Sequence, residues 1–535
     1  MKRKITKRQK KWIERTVDND RRYKYLLYNR FYLYLLLALL QVVGWGAFWY
    51  FLIYHSEIAI VAQIVMAIVT IGCILYIFNR HKKPSSKLSW MLVVLVAPLF
   101  GALLYVFCGE GRPARKMRKQ LEKAKAFNES PKEEFFGEWK DETQSREAGL
   151  SRFLSLQAGA PVYADGSVSY YDSGEKAFAA IVEALNGAKS FILLEYFIIS
   201  HGKMWGNILK ILLRKAEEGV QIRILYDDFG CMTTLPPKYD RYLEGLNPNI
   251  RCLAFNSVLP IFSVRMNNRD HRKILVVDGE VAFTGGFNLA DEYIGAKRRF
   301  GHWKDTGLKI TGSAANSFTC MFFDIWNAFR KDKEDIEKYL VSPLNADMPI
   351  SKEKKRTIQP YAVSPLDEVS VGEFVYVDMI ERAAKSIYIF TPYLILDDLL
   401  RGALCRAAMR GVDVRIVTPS IPDKKTVFRL TRANYYDLMQ VGVKIYEYTP
   451  GFIHAKSILC DGEYAVVGTI NFDYRSLYLH LENGVYFANC PAVADLQRDC
   501  EETIAMSRLC TNENMQRSAV GRLFDALLRI FETLL

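Results

Sequence analysis

His271-Arg272-Lys273-Ile274-Leu275-Val276-Val277-Asp278-Gly279 and His454-Ala455-Lys456-Ser457-Ile458-Leu459-Cys460-Asp461-Gly462 carry one pattern, His-x-Lys-x-x-x-x-Asp-Gly, at places 183 positions apart. Seven residues past each Asp stands a glycine, Gly285 and Gly468, and three further on an asparagine, Asn288 and Asn471. On a strand, a histidine and a lysine two apart project from the same face. Two such faces brought together supply a nucleophile, an acid and two cations around one phosphate. A single His-x-Lys is within reach of chance; two long copies in register are not.

Outward from the two copies, the chain reads as an internal duplication. A helix-like run ending Ala188-Lys189-Ser190 precedes an apolar strand over 191–199, and its twin ends Ala384-Lys385-Ser386 before a strand over 387–395. A second helix ends Glu218-Gly219-Val220 before a strand over 221–226, and its twin ends Arg410-Gly411-Val412 before 413–418. The offsets run 196, 192 and 183, so order is kept while loop lengths differ. Helices alternating with short apolar strands are the mark of α/β units. The fold class expected is α/β: two pseudo-symmetric lobes with mixed sheets and the active site on the axis between them. The lobes are placed at 156–345 and 346–515.

Ahead of them lie a basic segment (1–30), three hydrophobic stretches (31–54, 58–78 and 88–108) and a charged, helical connector (109–155). Each stretch is about long enough to cross a bilayer, which takes roughly 20 helical residues. Pro98 and Gly101 interrupt the third, which makes it a candidate for a kinked or re-entrant segment. Residues 516–535 read as an amphipathic C-terminal helix, suited equally to packing on the body and to lying in a membrane interface.

Charge distribution narrows the partner. The chain carries +13 overall, but residues 1–125 hold +17 and the remaining 410 sum to −4. The basic character therefore belongs to the membrane-flanking segments, where it is drawn to anionic lipid. A nucleic-acid enzyme would more often carry it in its working domain. The ten cysteines form no CxxC pair, and the chain has neither a dinucleotide-binding glycine pattern nor a Walker loop. The expectation is an enzyme of the cell membrane, multi-pass, with no metal and no cofactor. The basic segments and the scattered thiols point to a cytoplasmic catalytic domain. The sequence is silent on oligomeric state.

These residues resemble the phospholipase D superfamily and, in detail, the bacterial cardiolipin synthases. The resemblance rests on the paired motifs with Gly285-Gly286-Phe287-Asn288, Gly468-Thr469-Ile470-Asn471, Trp303-Lys304-Asp305 and Arg475-Ser476. It rests also on Leu88-Ser89-Trp90, Pro98, Gly101, Tyr105 and Gly109 in the last hydrophobic stretch. Two departures stand out, an additional hydrophobic segment and Asp270 where asparagine is commoner. The resemblance implies transfer of a phosphatidyl group between two phosphatidylglycerol molecules, giving cardiolipin and glycerol. It implies His271 as nucleophile, through a phosphohistidine, and His454 as acid and then base; the pseudo-symmetry of the sequence leaves that order open.

The paired motifs make His271, Lys273, Asp278, His454, Lys456 and Asp461 the catalytic set. Lys273 and Lys456 neutralise non-bridging oxygens, and Asn288, Asn471, Gly286 and Thr469 are candidates to donate hydrogen bonds to substrate. Each imidazole needs a partner to fix its tautomer. Asp278 and Asp461 lie seven residues from their histidines, an odd separation that on a strand points them to the other face. Better orienters are Asp305 and Glu482, at matching places before strand-like runs. The rival readings are a phospholipase D hydrolase, another phosphatidyltransferase of the superfamily and, from a different class, an inactive membrane scaffold.

Overall fold

The computed structural model describes most of the chain from residue 56 to residue 530, leaving out chiefly 1–38, 107–111, 137–145, 258–266 and 342–355. Most of the first hydrophobic stretch lies outside the described residues.

Two mixed sheets form the body. The first has seven strands: β1 (Ser167–Tyr171), β2 (Phe191–Tyr196), β3 (Gln221–Asp227), β4 (Ile250–Phe255), β5 (Lys273–Val277), β6 (Val281–Gly285) and β7 (Gly307–Thr311), in the order β1-β7-β6-β5-β2-β3-β4. β2, β3 and β4 run parallel, and the other neighbours pair antiparallel. The second sheet repeats that plan. Its strands β8 (Thr357–Val363), β9 (Ser386–Phe390), β10 (Asp413–Pro419), β11 (Lys444–Tyr448), β12 (Ser457–Cys460), β13 (Tyr464–Gly468), β14 (His480–Ala488) and β15 (Ser507–Leu509) lie in the order β8-β14-β13-β12-β9-β10-β11-β15. The duplication seen in the sequence is thus a duplication of sheets.

The strands are apolar on both faces because both faces are covered. Leu193, Ile274 and Val276 of the first sheet and Leu459, Val467 and Phe487 of the second share one core, into which α7 (Ala315–Phe329) and α10 (Pro491–Ala505) also pack. Alternate residues such as Ile192, Leu194 and Ile224 face the other way, under α5 (Gly174–Gly187) and α6 (Lys203–Glu217). The corresponding outer face of the second sheet packs under α8 (Val371–Arg382). A common central core is what fixes one lobe against the other.

The charged connector is built into this body. α3 (Arg112–Phe136) sends Met117 and Leu121 into the central core, and its buried Asn128 donates to Asp324 of α7 at 2.8 Å. α4 (Arg146–Ala158) packs Leu150 and Leu154 on the second lobe instead. Each flanks a different lobe, so the connector braces both.

In the N-terminal hydrophobic region, α1 (Ser56–Phe78) and α2 (Pro84–Val96) pack Ile77 against Trp90 and Val94. The third hydrophobic stretch is not one straight helix. α2 ends before Pro98, and Tyr105 turns back so that its ring meets Trp90 edge-on at 5.3 Å. Among the described residues, no helix is long and apolar enough to cross a membrane, so the multi-pass arrangement expected from the sequence is not shown. Lys83, between α1 and α2, pairs with Glu373 of α8 and with Asp397 at 3.1 Å, tying this hairpin to the second lobe.

Candidate active site

The site is made by a strand exchange between the lobes. Two residues before the first histidine, Arg269–Asp270, leave their own lobe and pair parallel with His480–Leu481 at the start of β14. The second copy does the same in mirror fashion, with Gly451–Ile453 pairing parallel with His302–Lys304. His271 N–H donates to Leu481 O at 2.9 Å, and His454 N–H to Lys304 O at 2.7 Å. The residue after each acceptor is an acid. His271 Nδ1 therefore lies 2.9 Å from both oxygens of Glu482, and His454 Nδ1 lies 2.8 Å from Asp305 Oδ2. Each imidazole is held by the carboxylate of the opposite lobe. Such a pair fixes the Nδ1–H tautomer and leaves Nε2 as the reactive nitrogen.

The lysines sit below. Lys273, the first residue of β5, and Lys456, just before β12, are fully buried, each ammonium donating to the backbone carbonyl of its own histidine, Lys273 at 2.5 Å. Burial pulls Lys273 down to about 7 and Lys456 to about 8. Burial and the two neighbouring lysines hold the imidazoles of His271 and His454 well below their ordinary value. Asp305 is pushed up to about 7, chiefly by its burial. The cluster is a dry nest of opposite charges, the setting in which an added anion changes proton affinities most.

Asp278 and Asp461, taken with the motif as catalytic, do other work. Each sits at the far end of its strand from the histidine. Asp278 accepts backbone N–H bonds from Lys189, Ser190 and Phe191 at 2.7–2.9 Å, and Asp461 accepts from Ala384, Lys385 and Ser386. Both turn the chain at positive φ, 54° and 55°, with the following glycines at 72° and 69°. Aspartate and glycine are the residues that adopt this conformation readily. The strand leaves its histidine at one end and reaches its aspartate at the other, so the two cannot share a substrate atom.

The candidate donors to substrate are committed as well. Gly286 N–H donates to Thr306 O at 3.0 Å, and Thr469 N–H to Asn483 O at 2.9 Å. The Thr469 hydroxyl donates to Glu482, so it steadies the carboxylate that holds His271. At Gly286 a Cβ would fall 2.0 Å from Asp305 Oδ1, which makes glycine a steric requirement for the second pair. Asn288 donates to the Tyr293 hydroxyl at 2.8 Å and accepts from Ile198 N–H at 3.1 Å; Asn471 donates to Ser476 Oγ at 3.0 Å. These side chains shape the walls behind the imidazoles.

Aromatic rings surround both imidazoles. His271 meets Phe197 edge-on at 5.0 Å, and His454 is ringed by Trp303, Tyr293 and Phe452 at 5.5–5.7 Å. His480 lies 5.5 Å from the His271 ring with Nδ1 3.7 Å from Glu482 Oε1. Burial pushes it down to about 3, so it stays neutral. Its signal was present in the spacing: it stands two before Glu482, hence on the same strand face. Glu195 pairs with Arg272, which also donates to Asp270 at 3.1 Å, and is a paired core carboxylate.

This geometry has counterparts. Residues 181–308 and 376–504 match the cardiolipin synthase, phospholipase D-like domain, one copy per lobe, and 68–110 match the phospholipase D-nuclease N-terminal segment. Cardiolipin synthase 2 of Bacillus anthracis is 32% identical over 87% of this chain and 89% of its own. The chain belongs to the cardiolipin synthase family. A further relative, the cardiolipin synthase of Alkalihalophilus pseudofirmus, is 34% identical over 81% of this chain and 85% of its own. The phosphatidylserine synthase of Haemophilus influenzae shares the fold, with a TM-score of 0.55 at 15% identity over 72% of this chain and all of that one.

Proposed function

We propose that the protein is a cardiolipin synthase that transfers a phosphatidyl group from one phosphatidylglycerol to a second, releasing glycerol. The observation that carries the reading is the exchange of carboxylates: two imidazoles, each fixed by the opposite lobe, with a buried lysine bonded to the backbone carbonyl of each histidine.

In the first half-reaction, His271 Nε2 attacks phosphorus and the bond from phosphorus to the headgroup glycerol oxygen breaks. His454 gives that oxygen its proton. In the second, His454 takes the proton from a glycerol hydroxyl of the second phosphatidylglycerol. That oxygen attacks, the P–N bond breaks, and His271 is regenerated. Splitting one displacement in two is the gain of covalent catalysis. Lys273 and Lys456 oppose the charge on the non-bridging oxygens, and the arriving anion raises the proton affinity of His454 to suit its acid role.

Transfer is favoured over hydrolysis by the walls. Phe197, Trp303, Tyr293 and Phe452 line the imidazoles with rings. Apolar walls of this kind leave little room for ordered water, whereas a lipid glycerol arrives tethered and oriented. The two lysines supply the charge a metal would supply elsewhere, so a chelator leaves the rate unchanged. Nucleic acid is not a substrate, in keeping with the −4 balance of residues 126–535. The catalytic body faces the cytoplasm, as the basic residues 1–30 and 112–125 and the free thiols favour.

The test is a product assay. Purified protein given phosphatidylglycerol alone yields cardiolipin and free glycerol in equal amounts, with or without chelator. Phosphatidic acid as sole product would make it a hydrolase, and no product would return it to the scaffold reading.

A further inference from the structure

α11 (Ala519–Ile530) sits on the body with its charged face inward. Asp525 is buried and ion-paired with Arg429 of α9 (Lys425–Ala433), and Arg429 also donates to Gly521 O at 2.9 Å. Arg529 reaches Asp437 at 3.3 Å. The outward face carries Val520, Leu523, Leu527 and Ile530, between 39% and 78% exposed, while the half-exposed Phe524 ring lies 4.6 Å beneath the Arg429 guanidinium. An amphipathic helix of a soluble domain turns its apolar stripe to the core. This one presents the stripe to whatever lies outside, and ion pairs hold it that way round.

Two observations identify the cover. One is continuity: Ser89 Oγ of α2 donates to Ile530 O at 2.6 Å, which joins the end of α11 to the apolar hairpin. On that hairpin Leu88, Leu95 and Val96 are themselves 61–76% exposed. The other is charge. Lys424 and Lys425 are exposed at the start of α9, Arg522 is exposed on α11, and between the two helices opens a cavity of about 340 Å³ lined by Lys425, Phe428, Arg429, Arg432, Ser518 and Gly521. An apolar stripe fringed by cations fits an anionic bilayer surface better than a second protein.

We propose that α11 docks the protein on an anionic bilayer, its apolar face at the acyl boundary, and that the cavity between α9 and α11 receives a phospholipid phosphate. The docking goes beyond the transfer reaction and stands whichever acceptor the site uses. It makes the C-terminal helix and the N-terminal hairpin one continuous membrane face.

The experiment uses the full chain in nanodiscs containing phosphatidylglycerol with a photoactivatable diazirine in its acyl chain. The peptide spanning 519–530 becomes labelled, as does the hairpin. Leu523→Glu with Leu527→Glu lowers labelling of 519–530 at least about fivefold and leaves the hairpin label unchanged. Both residues are exposed, so folding is not at stake, and the label reads lipid contact without turnover. Lys425→Glu lowers labelling by the phosphatidylglycerol probe but not by a phosphatidylcholine probe of the same chain. A hairpin labelled without 519–530, or wild-type labelling in the double variant, would overturn the docking. So would protection of 519–530 that follows protein concentration instead of lipid, since a second copy would then be the cover. Equal labelling by both probes in Lys425→Glu and wild type would overturn the headgroup cavity.

Discussion

At the scale of single residues, the proposed chemistry depends on two imidazoles with distinct partners. His271→Ala and His454→Ala each remove a group that no neighbour replaces; kcat should fall about 10⁴-fold, the loss typical of a triad member. Glu482→Gln and Asp305→Asn keep shape but lose the charge that fixes the tautomer, and should cost kcat about 10²- to 10⁴-fold with KM little changed. Initial rates of cardiolipin formation measure both. The pH profile follows from the buried charges. As pH falls below about 7, Asp305 gains a proton, and the imidazoles, held well below 6.5, follow lower down, so activity is lost on the acid side. As pH rises through about 7 to 8, Lys273 and Lys456 lose theirs and the phosphate cradle its charge. The profile of kcat/KM should therefore be a bell centred near neutrality, its basic limb moving upward in kcat once the anionic substrate is bound. A basic limb found only near 10 would contradict the lysine assignment. His-x-Lys was legible because period two puts both side chains on one face. The commitment of Gly286, Thr469, Asn288 and Asn471 to the protein itself was not, because hydrogen-bond partners depend on chain neighbours that spacing does not reveal.

At the scale of elements, Asp278 and Asp461 are turn residues whose conservative replacement separates fold from chemistry. Asp461→Ala removes the acceptor of three backbone N–H groups and puts alanine at φ 55°. It should lower stability by about 1–3 kcal/mol, while Asp461→Asn, which tolerates that φ, costs less. Thermal unfolding of the detergent-purified protein, alongside per-molecule activity of the folded fraction, checks it. Loss of turnover without loss of stability would restore a catalytic role. The strands were legible nearly to the residue: 221–226 and 413–418 against Gln221–Asp227 and Asp413–Pro419. The expected runs over 191–199 and 387–395 were too long. The chain leaves the sheet at Tyr196 and Phe390, where apolar sequence continues into buried loops that hydropathy alone does not separate from strand. The connector shows the same limit. Its charges mark a helix, but only packing shows Met117, Leu121, Leu150 and Leu154 bracing two lobes.

At the scale of the whole molecule, the duplication implied two lobes about one site. It did not reveal that each lobe's histidine takes its carboxylate from the other. Asp305 and Glu482 stood out in sequence only as matching acids before matching strands, since strand exchange joins residues 149 and 211 positions apart. The exchange predicts coupling across the lobes. In double-mutant cycles on kcat, Glu482→Gln should add little to His271→Ala, and Asp305→Asn little to His454→Ala, because members of one unit are lost together. Full additivity for both pairs would mean that the carboxylates act elsewhere. The most direct measurement is the site of the covalent phosphate. When phosphatidylglycerol is added to the His454→Ala protein and quenched, mass spectrometry should find the phosphatidyl group on His271, and none in His271→Ala. A phosphatidyl group on His454 in His271→Ala, or none on His271 in the wild-type protein quenched during turnover, would contradict the account.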